Sequence, residues 1–387
     1  MHTTTTILLP ATLSYRKFIR HMKLNYCPIL SVLIAATVVM FTTSCLSVSD
    51  KQTAVHREAA QQRLQAAHMQ PDDLGRRGFG MRHELTPEQL AELRDVRVFA
   101  GADEAHISRI MHLMGSNYSW YASDASLRSK TGVLILSHGL GHQGDKQLRA
   151  SVQDSPSDIP TTFAFGMSMT TSEHIQLALD ELMVAGAERV VVVPVLSTQH
   201  NSLMRQWKYI FSLDPDPEYT HVPKVVGPAE IIFSDALDDH PVVGKIVADH
   251  AREISHDPEA EEVIIVGHGP VDADDNAEQL ALMENIAAYL RADRDYAAVH
   301  VATLQDDAPR EVRMANFQKL RQRVTEARDA GRDVIIVTNL LGSRIVQSSL
   351  RRGLSGLAYR YNFKGLIEHE DFVDWIEASV EENITGS

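Results

Sequence analysis

Cysteine is almost missing from this chain. The two present, Cys27 and Cys45, both precede residue 46. The body that follows has no disulfide, no thiolate nucleophile and no cysteine-type zinc site. Any metal held there must be bound by histidine, carboxylate or water. Positive charge is also short: 37 Lys and Arg face 51 Asp and Glu, a formal charge of −14. Such a surface repels phosphate backbones and argues against a nucleic-acid partner. The apolar stretch Pro28–Phe41 is about 14 residues, short of a membrane-spanning helix. A Gly-x-Ser-x-Gly elbow is absent as well. The nearest string, Gly166-Met167-Ser168-Met169-Thr170, lacks the last glycine, which weakens an α/β-hydrolase reading of the Ser137-His138-Gly139 loop.

The remaining composition is that of a folded protein. Of 387 residues, 44% are apolar and 23% charged, enough for a sizeable core and for two or three domains. Residues 1–45 are expected to be an address. Met22-Lys23 opens a second start, the apolar stretch follows as an h-region, and Thr42-Thr43-Ser44-Cys45 resembles a bacterial lipobox. The expectation is an exported lipoprotein anchored through acylated Cys45 and facing the periplasm, with no other membrane contact.

Residues 46–128 are expected to form a polar tether and helical extension. Residues 46 to about 85 are rich in Gln, Ala and Arg and carry no sustained apolar period, which reads as a tether or a loose helix. Thr86-Pro87-Glu88-Gln89 has the pattern of a helix start, with Thr as N-cap and Pro at N1. A second helix is expected over Asp103–Met114, with Ile107, Ile110, Met111 and Met114 on one face. We read that face as a packing stripe rather than as a metal site built with His106 and His112.

From residue 130 onward, β-branched runs alternate with amphipathic helices, which predicts parallel sheets with right-handed crossovers. Strands are expected at 133–137, 162–166, 189–195, about 229–233, 262–266, 298–303, 333–338 and 358–363. Helices are expected at about 143–152, 172–186, 201–211, 240–254, 275–291, 310–330, 344–352 and 370–382. Leu134-Ile135-Leu136-Ser137-His138-Gly139 returns 130 positions later as Ile264-Ile265-Val266-Gly267-His268-Gly269. Ala185-Gly186-Ala187-Glu188-Arg189 likewise returns as Ala330-Gly331-Arg332-Asp333. The fold class expected is therefore α/β, two tandem units with four-stranded parallel sheets at 129–238 and 239–387, with a cleft between them.

Two histidines stand where such folds bind ligands, just past the carboxyl ends of strands. His138 follows the first run, and His200 follows Arg189–Val193 in Pro194-Val195-Leu196-Ser197-Thr198-Gln199-His200. Neutral imidazole is the commonest metal ligand among side chains. In the second unit His268 matches His138, but Arg344 stands opposite His200. A two-histidine site is therefore expected in the first unit alone.

A strand ending in His-Gly, a helix ending Ala-Gly-Ala-x-Arg, a Val-rich strand with Pro, and a second His about 62 residues after the first resemble the class II chelatases. These are the sirohydrochlorin cobaltochelatases and ferrochelatases. The resemblance spans roughly residues 130–385 and is stronger in the first half. It implies two flavodoxin-like halves around a tetrapyrrole, with Co²⁺ or Fe²⁺ inserted as substrate, and it maps the family's metal-binding histidines onto His138 and His200.

Such chemistry needs the ion offered to one face of a macrocycle and two pyrrole protons accepted. Few firm ligands suit an ion that must leave. His142 and Glu173 are candidates for the same cleft, Glu173 also fitting a first-turn carboxylate favoured by the helix dipole. His268 is a candidate from the second half. Arg344, Arg351 and Arg352 could pair with substrate carboxylates, although a solvated basic helix face explains them too. A second function stays open: an exported protein that captures a metal or tetrapyrrole without catalysis.

Overall fold

The computed structural model describes residues 53–67, 71–79, 85–99, 101–121, 130–153, 159–342 and 345–385. Cys27, Cys45 and Arg344 lie outside them, as does the expected address segment. No helix among the described residues is long and apolar enough to cross a membrane.

Four parallel strands begin the body: β3 (Thr131–Ser137), β4 (Thr161–Phe165), β5 (Arg189–Pro194) and β6 (Glu230–Phe233). They alternate with α4 (Gly141–Gln153), α5 (Glu173–Ala185) and α6 (Ser202–Ile210). The second series is β7 (Glu261–Gly267), β8 (Ala298–Thr303), β9 (Asp333–Asn339) and β10 (Arg360–Tyr361). Its helices are α7 (Pro241–Ile254), α8 (Ala273–Asp293), α9 (Arg310–Asp329), α10 (Ile345–Gly353) and α11 (Phe372–Thr385). The first set runs β4-β3-β5-β6 and the second β8-β7-β9-β10, so the spatial order repeats and all these pairs are parallel. The expected α/β class holds. The last strand is shorter than the expected 358–363, and pairs with β9 only through Arg360 and Tyr361.

The first sheet is wider than expected. Two antiparallel strands, β1 (Arg76–Phe79) and β2 (Asn117–Tyr121), extend it beyond β4 to six strands. Between them lie α2 (Pro87–Asp95) and α3 (Glu104–Leu113). Thr86 caps α2 with a full capping box to Gln89, and Asp103 caps α3. Ile107 and Met111 pack with Leu93, Phe99 and Met169 of the body, with Ile110 and Met114 alongside, so the apolar stripe is a packing face.

The described residues of the expected tether or loose helix belong to the fold, as a helix and a strand. Residues 53–66 form helix α1, whose Ala60 is buried in the core beside α5. Arg63 of α1 donates Nε–H and Nη2–H to the fully buried Asp180 of α5 at 2.7 and 2.6 Å. Arg77 of β1 pairs with Glu181 of α5. The lack of an apolar period hid this docking, because ion pairs to a distant helix carry much of it.

β3, β4 and β5 are buried along their whole length apart from Arg189 at an end. One apolar cluster joins both sheets: Val133, Ile135, Val191 and Val193 pack with Val263, Ile265, Ile335 and Val337 through Val243, Ile246, Phe372, Trp375 and Ile376. The C-terminal helix α11 touches β5 of the first sheet. The two βα units therefore share a core.

Candidate functional site

β3 and β5 are neighbours, with Leu136 opposite Pro194 and the Val195 N–H donating to the Leu136 carbonyl at 2.8 Å. The loops bearing His138 and His200 thus leave adjacent strands. Adjacent strands lie about 4.8 Å apart.

Each His-Gly pair has a backbone cause. Gly139 has φ +93° and Gly269 φ +82°, a region glycine enters without steric cost. At Gly269 a Cβ would come within 2.7 Å of Thr303 Cβ. The strand must turn at once, and the turn leaves the histidine at the strand end.

His138 is the first residue past β3 and is half-buried. Desolvation pushes its pKa down; the charge of His268 lowers it further, and Asp307 opposes both. At neutral pH the ring is therefore uncharged, with a lone pair for a cation. His268 of the second unit is thus an electrostatic neighbour of His138. Its Nδ1 donates toward the Gly269 carbonyl at 3.1 Å, and its Nε2 lies 3.4 Å from Asp307 Oδ2. Asp307 follows β8, whose Thr303 pairs with Gly267, and the Gln305 N–H donates to the His268 carbonyl at 2.6 Å.

His200 is half-buried in the loop before α6. Its N–H donates to Thr198 Oγ1 at 3.1 Å, and Asn201 caps α6 by accepting from the Met204 N–H at 2.9 Å. Asp238, past β6, holds this loop: it accepts from the Gln199 N–H and Nε2–H, each at 2.8 Å. Burial raises the pKa of Asp238, while the Gln199 bonds and the charge of His200 oppose the rise. Asp238 and Gln305 have φ of +44° and +48°. Such strained residues persist where surrounding structure over-determines them, often at ligand sites.

The other candidates fall in different places. His142 is exposed in the first turn of α4, with Nδ1 3.2 Å from Arg76 Nη1 of β1. Glu173 opens α5, is exposed, and its N–H donates to Thr171 Oγ1 at 3.3 Å. Arg351 stacks over the Phe363 ring at 4.9 Å, and Arg352 donates to Ser349 Oγ at 3.2 Å. Ser168 does meet His174, Oγ to Nε2 at 3.3 Å, but both are buried and Trp207 Nε1–H also donates to that Oγ at 3.2 Å. Desolvation lowers the pKa of His174 to about 3, so this pair belongs to the core and exposes no nucleophile.

Asp238 and Asp307 were not among the sequence candidates. Both lie in loops just past strand ends, and that position was the available signal.

No family profile matches the chain, and no curated protein matches it in sequence. Solved structures do match. SirB from Bacillus subtilis, solved with Fe³⁺, aligns with a TM-score of 0.51 at 18% identity, over 66% of this chain and 96% of that one. Over that share this chain has a SirB-like fold. A multi-domain protein from Deinococcus radiodurans, described as structurally similar to chelatases and as carrying two additional novel domains, aligns at 16% identity with a TM-score of 0.41, over 66% of this chain and 56% of its own. The SirB-like fold agrees with the architecture that the class II chelatase resemblance implied. The His138 and His200 loops leave the neighbouring parallel strands β3 and β5 of this chain.

Proposed function

We propose that this chain is a class II chelatase-like protein that inserts a divalent metal, Co²⁺ or Fe²⁺, into a tetrapyrrole such as sirohydrochlorin. His138 and His200 hold the incoming ion in the cleft between the two βα units. The observation that carries the proposal is the placement of His138 and His200 in loops that leave the neighbouring strands β3 and β5. The SirB-like fold supports it.

The reaction exchanges M²⁺ for two pyrrole protons, so the site must release a cation and take up two H⁺. A ring with a lowered pKa is a ready ligand and a poor base at neutral pH. His138 therefore serves as ligand. One proton goes to the His268 Nε2–Asp307 Oδ2 pair of the second unit, 3.4 Å apart, and the other leaves to solvent water. His200 completes the ligand pair from the loop that Asp238 braces. Two protein ligands leave coordination positions open, which permits transfer. His142 and Glu173 act at the margin of substrate binding. We further propose that the mature protein is exported and anchored through acylated Cys45, with the tetrapyrrole and the metal as its partners.

The test is the visible spectrum of sirohydrochlorin during incubation with Co²⁺ or Fe²⁺ and the protein. Rapid conversion to the metallated form is expected. His200→Ala should abolish it while leaving the circular dichroism spectrum unchanged, and His268→Ala should slow it less. Equal rates for His200→Ala and the unmodified protein would remove the proposed role. Tight binding of metal or tetrapyrrole without insertion would identify a captor protein instead.

A further inference from the structure

A second set of metal-ligand side chains lies away from the strand-end loops. Among the described residues, Asp249, His369 and Asp371 alone bring three donor atoms within 4.8 Å of one another. Asp249 sits on α7. His369 ends a short 3-10 turn (Leu366–Glu368), and Asp371 immediately precedes α11. All three are largely enclosed, with side chains 22%, 14% and 15% exposed.

The Asp249–His369 spacing suits coordination, and a donor atom of Asp371 lies within 4.8 Å of both. His369 Nε2 is 3.4 Å from Asp249 Oδ2, and His369 Nδ1 is 3.7 Å from Asp371 Oδ2. Two ligand atoms on one tetrahedral Zn²⁺ at usual bond lengths stand about 3.4 Å apart. The Asp371 N–H donates to His369 Nδ1 at 3.2 Å. With Nδ1 accepting, the ring proton sits on Nε2, and an ion bound there together with Asp249 Oδ2 would displace it.

One independent observation points to a cation here. His250, next to Asp249, is fully buried, and its ring packs edge-on against His369 with centroids 5.7 Å apart. Neither of its ring nitrogens has a hydrogen-bond partner among the described residues. Buried polar atoms without partners are rare and call for an explanation. Lys245 Nζ lies 2.5 Å from Asp371 Oδ2, with 62% of its side chain exposed. A cation already stands at the edge of the cluster, on a side chain able to move into solvent.

We propose that Asp249, His369 and Asp371, with the buried imidazole of His250 beside them, form a binding site for a divalent transition-metal ion that clasps α7 to the start of α11. Mixed imidazole and carboxylate donors favour Zn²⁺ and its neighbours over Ca²⁺ or Mg²⁺. Because α11 packs on β5 of the first sheet, the clasp ties the second unit to the first. This site does not depend on the chelatase reading.

The test uses the full chain in mild detergent, with His138→Ala and His200→Ala combined to remove the cleft ligands. Zn²⁺ is titrated by equilibrium dialysis, and thermal unfolding is followed with and without it. One Zn²⁺ per chain and a higher unfolding temperature with zinc are expected. Adding His369→Gln should weaken zinc binding at least about tenfold. Adding Lys245→Ala instead should tighten it about tenfold, because a competing charge at contact distance is removed. Zinc binding that ignores His369→Gln, or no zinc binding at all, overturns the site. Should His369→Gln fail to fold, the exposed Lys245→Ala variant decides: unchanged or weaker affinity overturns the site.

Discussion

The Arg63–Asp180 pair tests whether the segment before residue 85 is structural. Asp180 is fully buried on α5, and Arg63 reaches it from α1 with two hydrogen bonds of 2.7 and 2.6 Å. Arg63→Ala leaves a buried carboxylate with one remaining side-chain donor, Gln176 Nε2 at 2.9 Å. Breaking a buried ion pair by deleting one partner costs about 3–5 kcal/mol. Arg63 is 34% exposed, so water reaches the pair and the cost should fall to about 2 kcal/mol. Asp180→Asn removes the stranded charge, and Arg63→Ala in that background should cost about 0.5 kcal/mol or less. The coupling in the double-mutant cycle is then about 1.5 kcal/mol. Urea unfolding midpoints at constant slope measure all four corners. A coupling near zero would show that α1 does not dock through this pair, and the account of the N-terminal segment would fail.

Other outcomes follow from the same structure. His174 is buried with a pKa near 3, below its unfolded value of 6.5. Between those values the unfolded chain binds a proton that the native chain refuses, so stability falls as pH drops through this window. The loss from pH 7 to 5 is about 2 kcal/mol for this one group, and His174→Gln should remove that part of the pH dependence in urea unfolding. An unchanged pH dependence in the variant would refute the assignment. Gly139→Ala meets only backbone strain, with nothing near the added carbon, whereas Gly269→Ala also collides with Thr303 and Asn276. Gly139→Ala should cost about 1 kcal/mol and Gly269→Ala about 1–3 kcal/mol more; equal unfolding midpoints would contradict the packing at β7. Finally, residues 129–238 and 239–387 share one core through Phe372 and Trp375. Each expressed alone should show the exposed-core behaviour of a partly folded chain, and a cooperative unfolding transition from either would refute the shared core.

Much of the architecture was legible from one sequence. The β-branched runs around Val133–Leu136, Val190–Val193, Val263–Val266 and Val334–Val337 are strands whose both faces are buried, and no competing pattern obscures them. The glycines after His138 and His268 marked the turns that end two of them. The strands β1 and β2 were not legible. They are four and five residues long, and their pairing depends on the edge of β4 rather than on an internal period. Asp238 and Asp307 were likewise hidden, because an acidic residue in a loop looks the same whether it braces a histidine or faces water.

Local chemistry determined the elements and the strand ends where imidazoles could act. Periodicity, capping and turn requirements operate over a few residues and can be read along the chain. The tertiary structure alone decided which groups meet: His138 with His268 and Asp307, His200 with Asp238, Arg63 with Asp180, and Asp249 with His369 and Asp371. The members of most of these groupings lie tens to more than a hundred residues apart in sequence, and their proximity is set by how two sheets share one core.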